Sequence, residues 1–356
     1  MKDKDIITSI IFFIAGLGCF IANNTFDITS IVIAVILFLV GFVLLIKGGD
    51  WFVDGASSIA ERFKVPEIII GATVVSIGTT LPEVMVSAQA AAKGNGAISY
   101  GNAIGSIICN VALIAAITLA VKPSKADRKS LIMPLAFFFT AAGLYAFSAY
   151  ITGNFSRVTG IVLLCMFVVY MVITVTMAMK GKVKPDESDE EDEEKKEMPV
   201  VKAIMLLILG AAIIAFGSTL LVDNGTIIAE KIGIPKSVIA LTVVALGTSL
   251  PELVTAITSL IKGHGSLSLG NIIGANLFNL VLVSGLAMTI KPFSVPNEKQ
   301  FLTTGLNSSL IVDIPLMISV MLILALPPLV KGKLYRWQGI MLLCLYAGFC
   351  VFQFVF

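Results

Sequence analysis

Two glutamates stand inside apolar stretches of this chain, each within the same local sequence. Glu83 ends the segment GATVVSIGTTLPE at residues 71–83, and Glu252 ends ALTVVALGTSLPE at residues 240–252. Most positions of the two segments are identical, and the two glutamates lie 169 residues apart. A charged side chain at the centre of a membrane-spanning helix costs about 2.5–3.5 kcal/mol, so it marks a functional site by default. Two equivalent copies indicate one site built from both halves of the chain.

Each glutamate follows a proline and two hydroxyl side chains. Pro82 has no N–H group and its ring clashes with the carbonyl four residues back, which predicts an interruption costing about 3 kcal/mol. Backbone carbonyl oxygens between Ser76 and Thr79 are then free to face an ion. Thr79 and Thr80 precede Glu83 by four and three residues, so all three side chains share one helix face. The second copy repeats this pattern with Thr248, Ser249, Pro251 and Glu252.

A second repeated pattern follows each glutamate. The sequence GNAIGSIICN at 101–110 matches GNIIGANLFN at 270–279. Polar side chains recur every four residues in both copies, which predicts one polar stripe on an otherwise apolar helix. The stripe consists of Asn102, Ser106 and Asn110 in the first copy and of Asn271 and Asn279 in the second, with Ala275 in place of Ser106. Small residues at the same spacing, which allow close helix packing, are Gly101, Gly105, Gly270 and Gly274.

The donor atoms of these segments are all oxygens, from carboxylates, hydroxyls, amides and free carbonyls. Ca²⁺ takes about six to eight oxygen ligands at about 2.3–2.6 Å, and such a mixed set suits it. Softer metals prefer thiolate or imidazole ligands, which these segments lack. Two glutamates carry a charge that either one Ca²⁺ or two Na⁺ would neutralise. A site that accepts either occupancy predicts ion exchange, because one occupant must leave before the other enters.

The composition excludes an ordinary soluble protein. The chain is 57% hydrophobic and 13% charged, with a mean hydropathy of +0.97, whereas soluble domains carry about 25% charged residues. Its repeated apolar runs near 20 residues match the length that spans about 30 Å of hydrocarbon. The chain lacks a Walker A sequence, so nothing suggests transport driven by ATP. We therefore expect an all-α polytopic membrane protein that is not an enzyme and needs no cofactor.

The apolar runs predict two sets of five spans. The first set lies at about 29–48, 67–92, 98–120, 130–149 and 158–179, and the second at about 200–222, 236–261, 267–290, 307–327 and 335–356. An odd number of spans per repeat forces opposite orientations, the inverted-repeat plan of secondary transporters. The predicted divisions are an extra apolar segment at 1–28, a first repeat at 29–180, an acidic linker at 181–199 and a second repeat at 200–356. We prefer a retained helix to a signal sequence for the run at 6–22, because its end is a poor cleavage site.

Basic residues predict the orientation of this ten-span core. They concentrate in the loops of one side, including Arg62, Arg128, Arg336 and the lysines of the linker. Cytoplasmic loops carry such an excess, which predicts a cell-membrane protein with its acidic linker in the cytoplasm. The acidic run at 186–197 lacks EF-hand spacing and is interpreted as a tether.

The paired segments resemble those of the Ca²⁺/cation antiporter superfamily, and within it the prokaryotic Na⁺/Ca²⁺ exchangers. The segments GTTLPE and GTSLPE look like the cores of the two α-repeats of that superfamily, and the GNAIGS and GNIIG segments look like their second halves. The resemblance covers residue 29 to the C-terminus. It implies ten core helices, alternating access by sliding of one helix pair, and ion sites around the two glutamates.

Matching by motif position implies a full ligand set. The implied side-chain ligands are Thr79, Thr80, Glu83, Ser106, Asn110, Thr248, Ser249, Glu252 and Asn279, and the implied carbonyl donors are Ser76 and Ala245. This chain departs from many relatives at two positions. Asn279 stands where they have Asp, which removes a titratable group, and Ala275 stands where they have Ser, which removes a hydroxyl.

The expected function is exchange of Ca²⁺ for Na⁺, with both ions as substrates and the lipid bilayer as surroundings. We expect no nucleic acid and no obligatory protein partner. H⁺/Ca²⁺ exchange and K⁺-dependent exchange remain open, because both glutamates could carry protons. A cation channel and a non-transporting scaffold are alternatives from other classes.

Overall fold

The computed structural model describes residues 4–25, 30–63, 65–123, 127–179, 198–231, 245–297, 300–301 and 306–355. The described chain is mostly helical, because a long apolar run in a bilayer must satisfy its backbone groups within its own segment. The first half comprises α1 (Lys4–Thr25), α2 (Ile31–Phe63), α3 (Glu67–Ile70), π1 (Gly71–Val75), α4 (Ser76–Ala92), α5 (Gly96–Cys109), π2 (Asn110–Ala115), α6 (Ala116–Val121), α7 (Arg128–Phe147), π3 (Ser148–Thr152) and α8 (Arg157–Met179).

The second half has a similar order of elements. It comprises α9 (Val200–Lys231), α10 (Ala245–Thr248), α11 (Leu250–Ile261), α12 (Gly265–Phe278), π4 (Asn279–Ser284), α13 (Gly285–Ile290), π5 (Ser309–Asp313), α14 (Ile314–Lys331) and α15 (Arg336–Val355). Four two-residue strands complete the described chain. The antiparallel pairs are β1 (Asn154–Phe155) with β2 (Phe293–Ser294), and β3 (Gln300–Phe301) with β4 (Leu306–Asn307).

Eight helical segments of the described chain are long and apolar enough to cross a membrane. They are 31–63, 67–92, 96–121, 128–152, 157–178, 200–225, 265–290 and 309–331. The protein is therefore a polytopic helical membrane protein, as predicted. The predicted spans at 6–22, 236–261 and 335–356 are not among the eight, so the count of ten core spans stays a prediction. Residues 232–244 and the acidic run at 186–197 lie outside the described residues.

The segment 265–290 lies at the centre of the molecule. In an 18-residue apolar stretch of this segment 83% is buried inside the protein, compared with 28% for the equivalent stretch of α2. Two glycines let α12 approach the segment 67–92. A Cβ at Gly270 would lie 2.2 Å from the carbonyl oxygen of Ile68, and one at Gly274 would lie 2.6 Å from the Cα of Ala72. The close packing predicted for these two glycines is confirmed. Gly101 and Gly105 have no such neighbour among described residues, and their expectation stays a prediction.

The long helices α2 and α9 pack against each other through small residues. A Cβ at Gly41, Gly48 or Gly55 would lie 2.6–3.1 Å from a backbone oxygen of α9. The three oxygens belong to Gly217, Gly210 and Ala203 respectively. As the residue numbers of these α2 glycines rise, the residue numbers of their α9 partners fall. The two helices are therefore antiparallel, with backbone contact at all three positions.

Helix α1, predicted as an extra segment, packs on the outside of this pair. The rings of Phe13 and Phe20 lie 5.6 and 5.3 Å from the ring of Phe216 in α9. The Asn23 amide donates to the Asp223 carboxylate at 2.8 Å and accepts from Asn224 at 2.9 Å. Aromatic and polar contacts thus fix α1 to α9.

Asp127 caps the first turn of α7. Its carboxylate accepts hydrogen bonds from the backbone N–H groups of Lys129 and Ser130 and from the Ser130 hydroxyl. Burial raises the pKa of the Asp127 carboxyl, but the hydrogen bonds from Ser130 and Lys129 lower it by more, so the net pKa lies below its ordinary value. A capping carboxylate that satisfies the free N–H groups of a first turn stabilises the helix.

Candidate ion-binding site

Glu83 and Glu252 are both fully buried, with 0% of either residue exposed. Their carboxylates are close enough to interact electrostatically. None of the four carboxylate oxygens has a hydrogen-bond partner among the described residues. Burying an unpaired charge costs far more than burying a hydrogen-bonded one, so buried charges normally pair or coordinate metals. Their burial and lack of partners make the two carboxylates the candidate cation ligands.

The helix that carries Glu83 stays regular at its proline. Helix α4 continues through Pro82, so the predicted interruption there is wrong. A single proline removes only one helical hydrogen bond, and the flanking turns keep the backbone helical. The irregular turn comes earlier, at π1, where the Ser76 hydroxyl donates to the carbonyl of Gly71 at 2.7 Å. Single π turns of this kind are frequent at functional sites.

The helix that carries Glu252 is interrupted as predicted. Helix α10 ends at Thr248, Ser249 adopts non-helical angles, and α11 begins at Leu250. Pro251 therefore lies in the first turn of α11, where the missing N–H group has no helical partner to lose. The two copies of one motif thus differ in backbone form.

Hydroxyl side chains from the first half of the chain lie beside both carboxylates. Thr79 and Thr80 lie beside Glu252 of the other motif, and Ser106 lies beside Glu83. The hydroxyls of Thr80 and Ser249 are buried and have no hydrogen-bond partner within the described chain. The Thr80 hydroxyl, unpaired and beside a carboxylate, is a suitable ligand for a hard cation.

Asn110 and Asn279 are the two amides of the predicted ligand set, and each is fully buried, with 0% exposure. Each begins a π segment, π2 or π4. The side-chain oxygen and nitrogen of both residues lack partners among described residues. Buried amides are normally hydrogen-bonded, so these unpartnered amides are candidate ligands.

Asn102 and Asn271 cross-connect the two motifs, a role that sequence reasoning missed. The Thr79 hydroxyl donates to the Asn271 side-chain oxygen at 3.2 Å, and the Thr248 hydroxyl donates to that of Asn102 at 3.5 Å. The Asn102 amide also donates to the Glu83 carbonyl at 3.1 Å. Both residues stand in the predicted polar stripes, so their spacing was the available signal. They position ligand residues from the opposite half of the chain.

Two alanines, Ala245 and Ala275, stand at predicted positions of the site. Ala245 begins α10, and its carbonyl role, like that of Ser76, stays a prediction. Ala275 is fully buried in α12, between Asn271 and Asn279. It therefore contributes no hydroxyl at the position where Ser106 stands in the first half.

The chemistry of the site is that of oxygen ligands. No group of three or more His, Cys, Asp or Glu side chains converges within the described part of the chain. The side chains beside the two carboxylates carry hydroxyl groups, and neutral oxygens with two carboxylates suit Ca²⁺ or Na⁺ better than softer metals.

Comparison with known proteins places the chain in a family. The family described as sodium/calcium exchanger protein matches residues 33–176 and 202–355. The chain belongs to the sodium/calcium exchanger protein family. Within this family it is similar to the prokaryotic Na⁺/Ca²⁺ exchangers, as the motifs predicted. Helix α1 lies outside the matched residues.

Relatives of this family member align over most of its length. It is 33% identical to the sodium/calcium exchanger MaX1 of Methanosarcina acetivorans, covering 90% of this chain and 98% of the relative. It is 38% identical to the putative antiporter CaxA of Alkalimonas amylolytica, covering 73% and 82%. A solved structure of the sodium-calcium exchanger NCX_Mj, soaked with Na⁺ and Sr²⁺, superimposes with a TM-score of 0.75 at 33% identity, covering 89% and 97%.

Proposed function

We propose that this protein is a secondary antiporter that exchanges Ca²⁺ for Na⁺ across the membrane. The observation that carries the proposal is the pair of fully buried, unpartnered carboxylates of Glu83 and Glu252. Membership of the sodium/calcium exchanger protein family supports it. The names of the relatives MaX1 and NCX_Mj supply the two ions.

Competition for one charged site couples the two fluxes. Glu83 and Glu252 together carry a charge that one Ca²⁺ or two Na⁺ neutralises. Thr80 offers a neutral oxygen beside Glu252, and the buried, unpartnered side chains of Ser249 and Asn110 are proposed as further ligands. Because each occupancy satisfies the same carboxylates, Ca²⁺ leaves as Na⁺ enters, and the empty, charged site is the least favourable state to carry across the membrane.

Alternating access requires two bodies that move relative to each other. The antiparallel pair of α2 and α9, with α1 held on α9, is the mobile body in this proposal, and the other core helices form the second body. Gly41 and Gly48 of α2 correspond to Gly210 and Gly217 of α9 at the motif offset of 169 residues. Gly41 contacts Gly217, and Gly48 contacts Gly210. This exchange of equivalent positions supports inverted repeats at 29–180 and 200–356. The linker at 181–199 is cytoplasmic in this arrangement.

The alternatives differ in the counter-ion. H⁺/Ca²⁺ exchange would use Glu83 and Glu252 as proton carriers, and K⁺-dependent exchange would add a third ion. A cation channel would conduct without any counter-ion. Na⁺ is favoured because the neutral ligands of the proposed site are hydroxyl and amide oxygens. These oxygens coordinate a metal ion, but they do not take up and release protons.

The decisive experiment measures Ca²⁺ uptake into proteoliposomes loaded with Na⁺, K⁺ or acid, or with no gradient. The proposal predicts uptake from Na⁺-loaded vesicles alone. Glu252→Gln should abolish this uptake, whereas Glu61→Gln, at an exposed position near the end of α2, should preserve it. Uptake driven by acid would replace Na⁺ by H⁺, and uptake without a counter-ion would overturn antiport.

A further inference from the structure

An ion-pair cluster joins α2 to the turn between α11 and α12. The Lys262 ammonium group lies 2.7 Å from a carboxylate oxygen of Asp54 and 3.6 Å from one of Asp50. It also donates to the backbone carbonyl of Asp50 at 2.9 Å. Two residues further on, His264 contacts Glu67 at the start of α3. The cluster therefore links the mobile body of the proposed function to the other body.

The internal repeat supplies a second set of the same residues. Asp54 corresponds to Asp223, and Lys262 corresponds to Lys93, both at the offset of 169 residues. The turns that carry the two lysines have the same form. Gly94 and Gly263 follow them with positive φ angles of 80° and 88°.

The two sets lie at opposite ends of the molecule. His264 contacts Glu67, the first residue of the segment 67–92. Lys262, two residues before His264, therefore lies near the beginning of that segment. Lys93 follows the other end of this segment, and 26 helical residues extend about 39 Å. Asp54 and Asp223 also lie at opposite ends of the molecule, because each is near the C-terminal end of its helix and α2 and α9 are antiparallel.

The two sets differ in their contacts. Lys262 bridges Asp50 and Asp54, whereas Lys93 is exposed and forms no ion pair within the described ranges. The Asp223 carboxylate instead accepts a hydrogen bond from Asn23 of α1. One lysine–aspartate pair is closed while the equivalent pair is open.

We propose that Lys262 with Asp54 and Lys93 with Asp223 are two alternating latches between the helix pair α2–α9 and the rest of the protein. This inference rests on the proposed alternating-access function. Since α2 and α9 are in backbone contact, they move together, and a slide that brings Asp223 to Lys93 withdraws Asp54 from Lys262. Only one latch closes at a time, and each closes the protein at one side of the membrane. Asp223 exchanges Asn23 for Lys93 when the second latch forms.

The test is cross-linking of cysteine pairs in the full chain, with the five native cysteines replaced. One variant carries Asp54→Cys with Lys262→Cys, a second carries Asp223→Cys with Lys93→Cys, and a third carries all four changes. A short bifunctional maleimide should link either pair, but no molecule of the third variant should carry both links. Molecules that carry both links would overturn the proposal.

A second measurement adds Lys262→Met to the Asp223→Cys, Lys93→Cys variant. Loss of a partly exposed ion pair corresponds to a roughly 1.5- to 5-fold change in an equilibrium constant. Cross-linking of the 93–223 pair should rise by this factor, return with Lys262→Arg, and stay unchanged with Lys331→Met, an exposed lysine on the same side. An unchanged yield with Lys262→Met would contradict the latch.

Failure of the latch is distinguishable from failure of the proposed function. Mutually exclusive cross-links in a protein without Na⁺-driven Ca²⁺ uptake would support the latch and remove the ion assignment. Double links in a protein with normal Na⁺-driven uptake would remove the latch alone.

Discussion

The contact between Gly274 and π1 makes a quantitative prediction about the ion site. A Cβ at this position would lie 2.3 Å from the Ser76 hydroxyl and 2.6 Å from the Cα of Ala72. Ordinary contact begins at 3.4 Å, so Gly274→Ala must separate the two backbones by about 0.8 Å. Ca²⁺ ligands occupy a range of only about 2.3–2.6 Å. The separation therefore moves the predicted ligands of α4 out of coordination distance of Asn279, the residue that directly follows α12.

The expected effect is large for one methyl group. Overpacking of this kind costs about 1–3 kcal/mol, which corresponds to roughly a 5- to 150-fold change in an equilibrium constant. Equilibrium binding of ⁴⁵Ca²⁺ to purified protein measures affinity, and a thermal melt measures stability. Gly143→Ala is the matched control, because a Cβ there meets no described atom within 4 Å. A Gly274→Ala protein with the affinity and Tm of the Gly143→Ala protein would refute the packing argument.

Other contacts make separate predictions. Thr79→Val removes the hydrogen bond to Asn271 and should lower the free energy of unfolding by about 0.5–1.5 kcal/mol, because the buried amide oxygen keeps only its contact with the Ser76 hydroxyl. Asp127→Ala should cost about 1 kcal/mol through loss of the α7 cap. Because the pKa of Asp127 is lowered on folding, this contribution is present above its ordinary pKa and disappears as the pH falls through the folded value, so the Tm difference should vanish in acid. Gly48→Ala, whose Cβ would lie 3.0 Å from the Ile214 nitrogen, should lower Tm, whereas Gly18→Ala, with open space around it, should not.

These stability predictions have distinct contradicting results. Thr79→Val with an unchanged Tm would show that the cross-connection contributes nothing. An Asp127→Ala difference that persists at low pH would show that the carboxylate acts without its charge. A Gly48→Ala protein as stable as Gly18→Ala would mean that α2 and α9 separate at no cost.

The positions of the eight spans that the structure shows were predictable, because each lies on an apolar run of sufficient length. The run at 98–120 forms a helical segment from Gly96 to Val121, and the run at 158–179 forms α8 from Arg157 to Met179. The duplicated motif was equally informative about the site. Its constant offset related Glu83 to Glu252, and the structure buries both residues completely.

Contacts between distant segments were not predictable, because spacing along one helix does not reveal its neighbour. Helical spacing predicted Thr79 and Thr80 on the face of Glu83, yet both also lie beside Glu252. The partner of Thr79 is Asn271, which comes from the other half of the chain. The glycines that join α2 to α9 recur at seven-residue spacing, a signal that the analysis of the motifs did not use. Pro82 shows the converse, since local propensity predicted a break where the helix continues.

The central claim is that Ca²⁺ and Na⁺ compete for the carboxylates of Glu83 and Glu252. Equilibrium binding of ⁴⁵Ca²⁺ to the purified protein, titrated with NaCl at constant ionic strength with choline chloride, tests it directly. The account predicts that Na⁺ displaces Ca²⁺ from wild-type protein and that Glu83→Gln and Glu252→Gln each abolish Na⁺-sensitive binding, while Glu61→Gln binds normally. Ca²⁺ binding that survives either substitution, or that Na⁺ leaves unchanged in the wild type, would contradict the account.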